Sequence, residues 1–454
     1  MKKTALLIGA FLMVAGSAAQ NQIQSPTANT VRYVVKDLGT LGGTGGVAEG
    51  ISDADWVVGS SNLAGDQTGH AYLWRNGVMT DLGTLGGLNS SEQWPVKDSR
   101  GLIVGAAETS AMDPFAEDFC GFGSNSGVLS TGLICLGFLW QDGLMNALPT
   151  LGGNNAQALG VNNRGQAVGL AESSTEDQNC ISHKSIPQQV LDIHAVLWGP
   201  RPGEIHELPP FSGDVSSWAT GINDRGQIIG VSGDCVTPNF NATGMVPHRG
   251  VIWENGTVTD LGNLGGTQIN FPWAINSKGQ VVGQSTIAGD ILVHTFLWQK
   301  GVMTDLGVVP GDVVSTAFGL NDRGEVVGGS CDLTNCRAYI WREGVMTDLN
   351  TLVKPGSTSL YLVFGNDINS RGEIAAYAFD PGTGAFRAAV AIPCDEEHAG
   401  DVGCADVPQG TTAAPSQASE RPKVILPENL RWMLRQRLGF PAFRSVLTGP
   451  QKTG

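Results

Sequence analysis

The stretch His70–Gly87, HAYLWRNGVMTDLGTLGG, determines how the chain folds, because variants of it recur five more times. Its first residues alternate in character and are rich in aromatics, as expected for a β-strand. Asn76-Gly77 is a strong signal for a tight hairpin turn, since both residue types tolerate a positive φ. Val78–Asp81 then follows as the returning strand. The recurrences surround Trp140, Trp198, Trp253, Trp298 and Trp341.

A second motif of about ten residues lies between these copies, and GINDRGQIIG is its clearest form. Its polar centre predicts a turn between two short strands, in which glycine supplies the positive φ. Successive copies lie about 45 to 65 residues apart, a spacing typical of propeller blades. The seven copies are Gly50–Gly59, Pro95–Gly105, Gly160–Gly169, Gly221–Gly230, Ala274–Gly283, Gly319–Gly328 and Asp367–Ala376.

Together the two motifs give four antiparallel strands per unit with no helix between them. The sequence therefore predicts an all-β fold, a seven-bladed β-propeller spanning residues 31–392. A β-solenoid is the alternative, but solenoid repeats are usually shorter and lack the hairpin pattern. The seventh unit ends near Ile392 without a fourth strand, whereas Val31–Gly39 is a fourth strand without a predecessor. We therefore expect the N-terminal strand to close the last blade.

The hairpin register places a basic residue of the third strand diagonally beside an acid of the fourth. In the first unit these residues are His70 and Asp81, whereas the second unit has lost both, with Leu136 and Ala147 in their places. Because catalytic groups are not repeated around a ring, we interpret these residues as structural acid–base pairs. The other predicted pairs are His194 with Glu207, Arg249 with Asp260, His294 with Asp305, Arg337 with Asp348 and, across the closure, Arg387 with Asp37.

Residues 1–19 have the pattern of a signal peptide. Lys2 and Lys3 precede the apolar run Ala5–Gly16, and small residues up to Ala19 offer a cleavage site. An uncleaved anchor is the alternative, but the run is short for a membrane span. We expect a secreted protein, extracellular or periplasmic, with no membrane contact after cleavage.

The chain contains eight cysteines, all of which follow this segment. An even number in an exported chain indicates disulfides. Zinc is the alternative, but the CxxC spacing of zinc sites is absent, so we expect no metal and no other cofactor. Sequence alone does not fix the connectivity. The most local pairing joins Cys120 to Cys135, Cys180 to Cys235, Cys331 to Cys336 and Cys394 to Cys404.

The sequence His70-Ala71-Tyr72-Leu73-Trp74, followed by GVMTDLGTLGG, resembles the HAF repeat, which is named for its His-Ala-Phe core. HAF-repeat proteins are bacterial extracellular repeat proteins, and the resemblance covers about residues 31–392. It implies secretion and a repetitive β-fold, but no reaction, since the family has no established activity. The chain departs from the motif at Leu136-Gly137-Phe138 and Arg337-Ala338-Tyr339.

Three connections between second and third strands are long, namely Ala106–Ile134, Leu170–Ile193 and Val231–Pro247. Loops on a rigid scaffold are common binding sites, and aromatic residues with carboxylates suit a glycan or a peptide. The alternative is that the loop acids only keep the loops soluble. The candidate ligand-binding residues are Trp94, Trp218, Trp273, Asp113, Asp118, Glu176 and Asp234.

Composition limits the possible partners. The 454 residues carry a net charge of −15, which argues against nucleic acid and anionic membranes. No nucleophile elbow, HExxH, P-loop or EF-hand motif is present, so we name no catalytic residue. The first hypothesis is a non-catalytic, monomeric binding module for a glycan or protein ligand. The alternatives are an extracellular polysaccharide hydrolase or lyase and a structural cell-surface component.

The tail, residues 393–454, differs in composition from the repeats. Residues 400–422 are small, polar and proline-containing, which predicts disorder. Pro427–Leu438 could form a short amphipathic helix that begins at the proline and ends at Gly439. Arg431 and the arginines that follow it would let this end dock on an acidic surface; the alternative is a frayed tail.

Overall fold

A computed structural model describes residues 31–92, 100–122, 131–178, 189–234, 249–290, 292–332 and 334–398, with residues 400, 404 and 424. These residues form seven four-stranded antiparallel sheets arranged in a ring. The protein is therefore a seven-bladed β-propeller, as the sequence predicts. The predicted signal peptide and the predicted helix 427–438 lie outside the described residues. Within the described part of the chain, no helix is long and apolar enough to cross a bilayer.

Six blades each use four consecutive strands, which run outward from the central channel in chain order. Blade 1 contains β2 (Gly42–Ile51), β3 (Val57–Leu63), β4 (Gly69–Arg75) and β5 (Val78–Asp81). Blade 2 contains β6 (Gly86–Ser91), β7 (Ile103–Met112), β8 (Leu133–Gln141) and β9 (Leu144–Ala147). Blade 3 contains β10 (Gly152–Val161), β11 (Ala167–Glu176), β12 (Leu191–Trp198) and β13 (Ile205–Leu208).

The later blades follow the same plan. Blade 4 contains β14 (Ser216–Ile222), β15 (Ile228–Gly233), β16 (Arg249–Glu254) and β17 (Thr257–Asp260). Blade 5 contains β18 (Gly265–Ile275), β19 (Val281–Ile287), β20 (Val293–Gln299) and β21 (Val302–Gly307). Blade 6 contains β22 (Val314–Leu320), β23 (Val326–Cys331), β24 (Cys336–Arg342) and β25 (Val345–Asp348), followed by a 3₁₀ turn, Leu349–Thr351.

Blade 7 joins the two ends of the ring. It contains β26 (Tyr361–Ile368), β27 (Ile374–Phe379), β28 (Phe386–Cys394) and, as its outer strand, β1 (Arg32–Asp37). β1 is antiparallel to β28, with Arg32 opposite Cys394 and Asp37 opposite Ala389. Its other edge is also bonded, because Tyr33 N donates to Leu352 O at 2.9 Å. The N-terminal strand thus closes the last blade, as predicted.

The strand order gives the ring two different faces. The turns between first and second strands, and those between third and fourth, lie on one side, which we call the turn face. The loops between second and third strands and the crossings between blades lie on the other, the loop face. Cysteines are bonded as the local pairing predicts at Cys120–Cys135, Cys331–Cys336 and Cys394–Cys404. Cys180 and Cys235 lie outside the described residues.

The loop-face half of the central channel is filled by side chains. Aromatic rings from the first strands contact one another within blade 5, with centroids 4.4 Å apart, and from blade to blade, with centroids 5.3 to 5.6 Å apart. They are Trp218, Phe271, Trp273, Phe318 and Phe364. Phe119 and Phe122 of the second blade's long loop pack into the same cluster. Gln157 Nε2 fixes this loop by donating to Phe119 O at 3.1 Å. We call this group the channel cluster.

Candidate functional site

The candidate tryptophans on the loop face are buried. Trp218 is 1% exposed and Trp273 is 6% exposed, and both belong to the channel cluster. The prediction that their rings line an open mouth is wrong, because both side chains are buried in the same hydrophobic cluster as Phe119 and Phe122. Trp94 lies outside the described residues.

The four candidate acids do not share one environment. Asp113 is buried, and its Oδ2 accepts from Asn155 Nδ2 at 2.6 Å. Asp118 is half-buried, whereas Glu176 and Asp234 are exposed on the loops of two other blades. Asp113 therefore belongs to the packing of the loop face and does not present its carboxylate at an open surface.

Asp113 is one of three buried carboxylates that surround a single amide. Glu117 Oε2 and Glu172 Oε2 lie 3.4 and 3.2 Å from Asn155 Nδ2. Burial, with the neighbouring carboxylates of Glu172 and Asp113, raises the pKa of Glu117 to about 9. Burial also raises the pKa of Glu172. Glu117 Oε1 accepts from Val190 N at 2.6 Å, so this carboxylate cluster fastens the loop of blade 2 to that of blade 3.

Glu172 also has a structural role that the sequence analysis missed. The first strands of several blades bulge near their starts, and the freed backbone N–H groups need acceptors. Glu172 Oε2 accepts from Asn155 N at 2.9 Å, and Glu108 Oε2 accepts from Asn89 N at 2.9 Å in blade 2. The signal was available, because V-G-x-A-E occurs at both positions, Val104–Glu108 and Val168–Glu172.

Four of the predicted acid–base pairs lie within hydrogen-bonding distance. His70 Nδ1 is 2.8 Å from Asp81 Oδ1, which also accepts from Gly83 N at 2.7 Å. Asp37 and Asp305 accept in the same way from Gly39 N and Gly307 N, so these three aspartates link their own strands to the crossings that lead to the next blade, which is a structural arrangement. The other nitrogen–oxygen distances are 3.0 Å for His194–Glu207, 2.9 Å for His294–Asp305 and 3.0 Å for Arg387–Asp37.

Two of the predicted pairs have closer competing partners. Arg249 is 2.8 Å from Asp214 and 3.6 Å from Asp260. Arg337 is bonded to Asp332 at 2.6 Å and lies 3.2 Å from Asp312, while Asp348 caps the 3₁₀ turn. These arginines reach loop carboxylates because an arginine side chain is longer than a histidine side chain. The hairpin register alone does not predict these contacts.

The turn face carries a ring of hydrogen bonds between blades. The first polar residue of the turn between first and second strands is a buried asparagine in blades 3 to 7. Its Oδ1 accepts from its own turn, and its Nδ2 donates to the equivalent carbonyl of the next blade. The donor–acceptor distances are 3.2 Å for Asn162–Asn223, 3.0 Å for Asn223–Asn276, 3.1 Å for Asn276–Asn321, 3.0 Å for Asn321–Asn369 and 3.3 Å for Asn369–Ser52.

We expect Asn276→Ala to lower the free energy of unfolding by about 2 kcal/mol, since the backbone groups of Lys278, Gln280 and Asn321 lose their partner. Chemical denaturation measures this change. Lys278→Ala, an exposed neighbour in the same turn, is the control and should stay within about 0.5 kcal/mol of wild type. Equal effects from the two variants would show that the ring does not contribute to stability.

Inside this ring the channel opens to solvent as a depression of about 160 Å³. Its floor is apolar, formed by Ile51, Ile222, Ile275, Leu320 and Ile368. Its rim is polar, formed by Asp53, Asn163, Asp224, Ser277, Asp322 and Ser370. We call this depression the turn-face mouth.

The rim residues hold one another in pairs across neighbouring blades. Asp224 accepts from both N and Nδ2 of Asn163, each at 2.8 Å. Asp322 accepts from Ser277 N at 3.0 Å and from Ser277 Oγ at 2.6 Å. These contacts fix the rim before any ligand arrives. The sequence motif indicates only turn residues at these positions, although a polar side chain after the asparagine recurs in most copies.

No family profile and no curated protein sequence matches the chain. Solved structures of similar fold include an oligogalacturonate lyase from Vibrio parahaemolyticus, with 9% identity and a TM-score of 0.45, covering 81% of this chain and 98% of that one. The propeller domain of the Trilobed protease from Pyrococcus furiosus has 10% identity and a TM-score of 0.41, covering 77% and 92%. At such identities and TM-scores the likeness carries no conclusion about the function of this chain.

Another structural neighbour is an acylaminoacyl peptidase from Pyrococcus horikoshii, with 12% identity and a TM-score of 0.44 over 78% of this chain. The match covers 53% of the peptidase, so this chain spans about half of its length.

Proposed function

We propose that this protein is an exported, HAF-repeat binding module without catalytic activity, and that it takes a glycan at the turn-face mouth. The observation that carries the proposal is the mouth itself, an apolar floor within a rim of carboxylate, amide and hydroxyl groups. A sugar ring offers an apolar C–H face and a periphery of hydroxyls, which such a site matches. The predicted signal peptide and the disulfides support export.

The arrangement of titratable groups favours binding over catalysis. Within the described residues no histidine lines the mouth, whose titratable rim groups are Asp53, Asp224 and Asp322. Glycoside cleavage by a carboxyl pair needs an acid kept protonated near neutral pH beside the substrate. Burial raises the pKa of Glu117 to about 9 and also raises the pKa of Glu172, but both carboxyl groups are buried on the opposite face.

A glycan array followed by calorimetry tests the proposal. We expect the affinity for a bound uncharged glycan to fall about tenfold with Asp224→Asn, because the amide cannot accept both bonds from Asn163. Asp142→Asn is the matched control, since it removes one exposed carboxylate from the turn between third and fourth strands of blade 2. Turnover of a bound glycan would favour the hydrolase or lyase alternative, and self-association without glycan binding would favour a structural component.

A further inference from the structure

A ring of basic residues surrounds the turn-face mouth, in addition to the ring of asparagine hydrogen bonds. Six of the seven turns between first and second strands carry a cation near the rim residue, in a chain whose net charge is −15. The same turns also carry acids, among them Asp53, Asp224 and Asp322, so this face is distinguished by the regular placement of its cations and not by an excess of positive charge. The residues are Arg100, Arg164, Arg225, Lys278, Arg323 and Arg371.

The arginines reach sideways from blade to blade. Gly279 has a φ of +76°, and a β-carbon added there would lie 2.7 Å from Arg225 Nη2 of the preceding blade. Gly372 stands in the same relation to Arg323. Glycine is thus required for its backbone conformation and leaves space for the neighbouring guanidinium. The cations therefore follow the circumference of the mouth.

The cations of the ring differ in their partners. Arg323 Nη2 is 2.8 Å from Glu325, and Arg371 is paired with Glu373 at 2.6 Å and also with Asp55. Arg164, Arg225 and Lys278 are exposed, and none of them forms an ion pair with any residue that the structure describes. We call these three residues, on consecutive blades 3 to 5, the basic arc.

We propose that the ligand of the turn-face mouth is an acidic glycan whose carboxylates lie along the basic arc while one sugar ring occupies the mouth. The inference rests on the proposed function and specifies its ligand. The arc offers three cations, and the two rim carboxylates beside it, Asp224 and Asp322, already accept hydrogen bonds from Asn163 and Ser277. Guanidinium groups bind carboxylates through two parallel hydrogen bonds, which suits a uronate.

The test compares a uronic acid trisaccharide with its uncharged methyl ester, using the mature chain. We expect the acid to bind about tenfold more tightly than the ester, and this preference to shrink as salt is raised, because exposed charges are screened. Arg225→Ala combined with Lys278→Ala should lose about tenfold in affinity for the acid and little for the ester. Arg323→Ala, an ion-paired residue of the same ring, should change the affinity less than about twofold.

Each outcome bears on one proposal. Equal affinity for acid and ester would overturn the acidic-ligand inference and leave glycan binding standing. An unchanged preference in the double variant would also overturn it, provided that circular dichroism and the melting temperature match the wild type. If these sugars and the array glycans all fail to bind, the proposed function fails as well.

Discussion

Tyr33→Ala is expected to lower the free energy of unfolding by about 4 kcal/mol, one of the largest effects of a single substitution in this protein. Tyr33 is fully buried between the last blade and blade 6, although it lies in the first strand of the chain. Its hydroxyl accepts from Arg342 Nη2 at 2.7 Å, and burial raises its pKa to about 12. The substitution removes a buried aromatic side chain from blade 7, the blade that is built from both chain ends.

Guanidinium denaturation followed by fluorescence measures this effect. Tyr33→Phe keeps the ring and loses the hydroxyl, so we expect a loss of about 1 kcal/mol. Val345→Ala, at a residue 62% exposed on an outer strand, should stay within about 0.5 kcal/mol of wild type. If Tyr33→Ala unfolds at the wild-type midpoint, closure by the N-terminal strand does not stabilise the ring.

Glu117→Gln should make the protein more stable above pH 7 and flatten the dependence of its stability on pH. The pKa of Glu117 is about 9 in the folded state, against an ordinary value of 4.5 that serves for the unfolded chain. Between these values the folded protein holds a proton that the unfolded chain has released. The stabilisation is therefore complete below about pH 4.5 and is lost as pH rises to about 9, by up to about 1.4 kcal/mol per pH unit.

Glutamine keeps the acceptor for Val190 N and offers Glu172 a donor that does not titrate. Denaturation midpoints of the two proteins between pH 5 and pH 9 measure the change. Glu176→Gln, an exposed acid of the same loop face, controls for net charge. A Glu117→Gln protein less stable than wild type at pH 8.5 would contradict the assignment of a protonated Glu117.

The fold was predictable because its signals are local and repeated. Asn76-Gly77 adopts positive φ at both residues in the structure, as its hairpin requires. The closure followed because Val31–Gly39 and the seventh unit are incomplete in complementary ways. Neither inference needed knowledge of long-range packing.

The site was less predictable because it depends on contacts between distant segments. The sequence predicts Trp218 and Trp273 at an open mouth on the loop face. Whether this end of the channel is open depends on where the long loop of blade 2 places Phe119 and Phe122. A long loop has no periodic sequence pattern from which its position on the propeller could be inferred. The mouth on the turn face, by contrast, is built from repeated positions, and Asp224 and its counterparts could have been found by aligning the copies.

The asparagine ring has one further consequence, because it has a direction and an end. In blade 1 the asparagine position is Ser52, whose carbonyl accepts from Asn369 while its hydroxyl accepts from Ala54 and Trp56 within its own turn. The side chain of Ser52 is shorter than that of asparagine and has no second polar group with which to donate to the next blade. The asparagine position of blade 2 is Asp98, which lies outside the described residues, and neither a serine nor an aspartate side chain carries an amide N–H group with which to continue the series. On heating, we therefore expect the propeller to open beside blade 2 before it opens at the seam where the two chain ends meet.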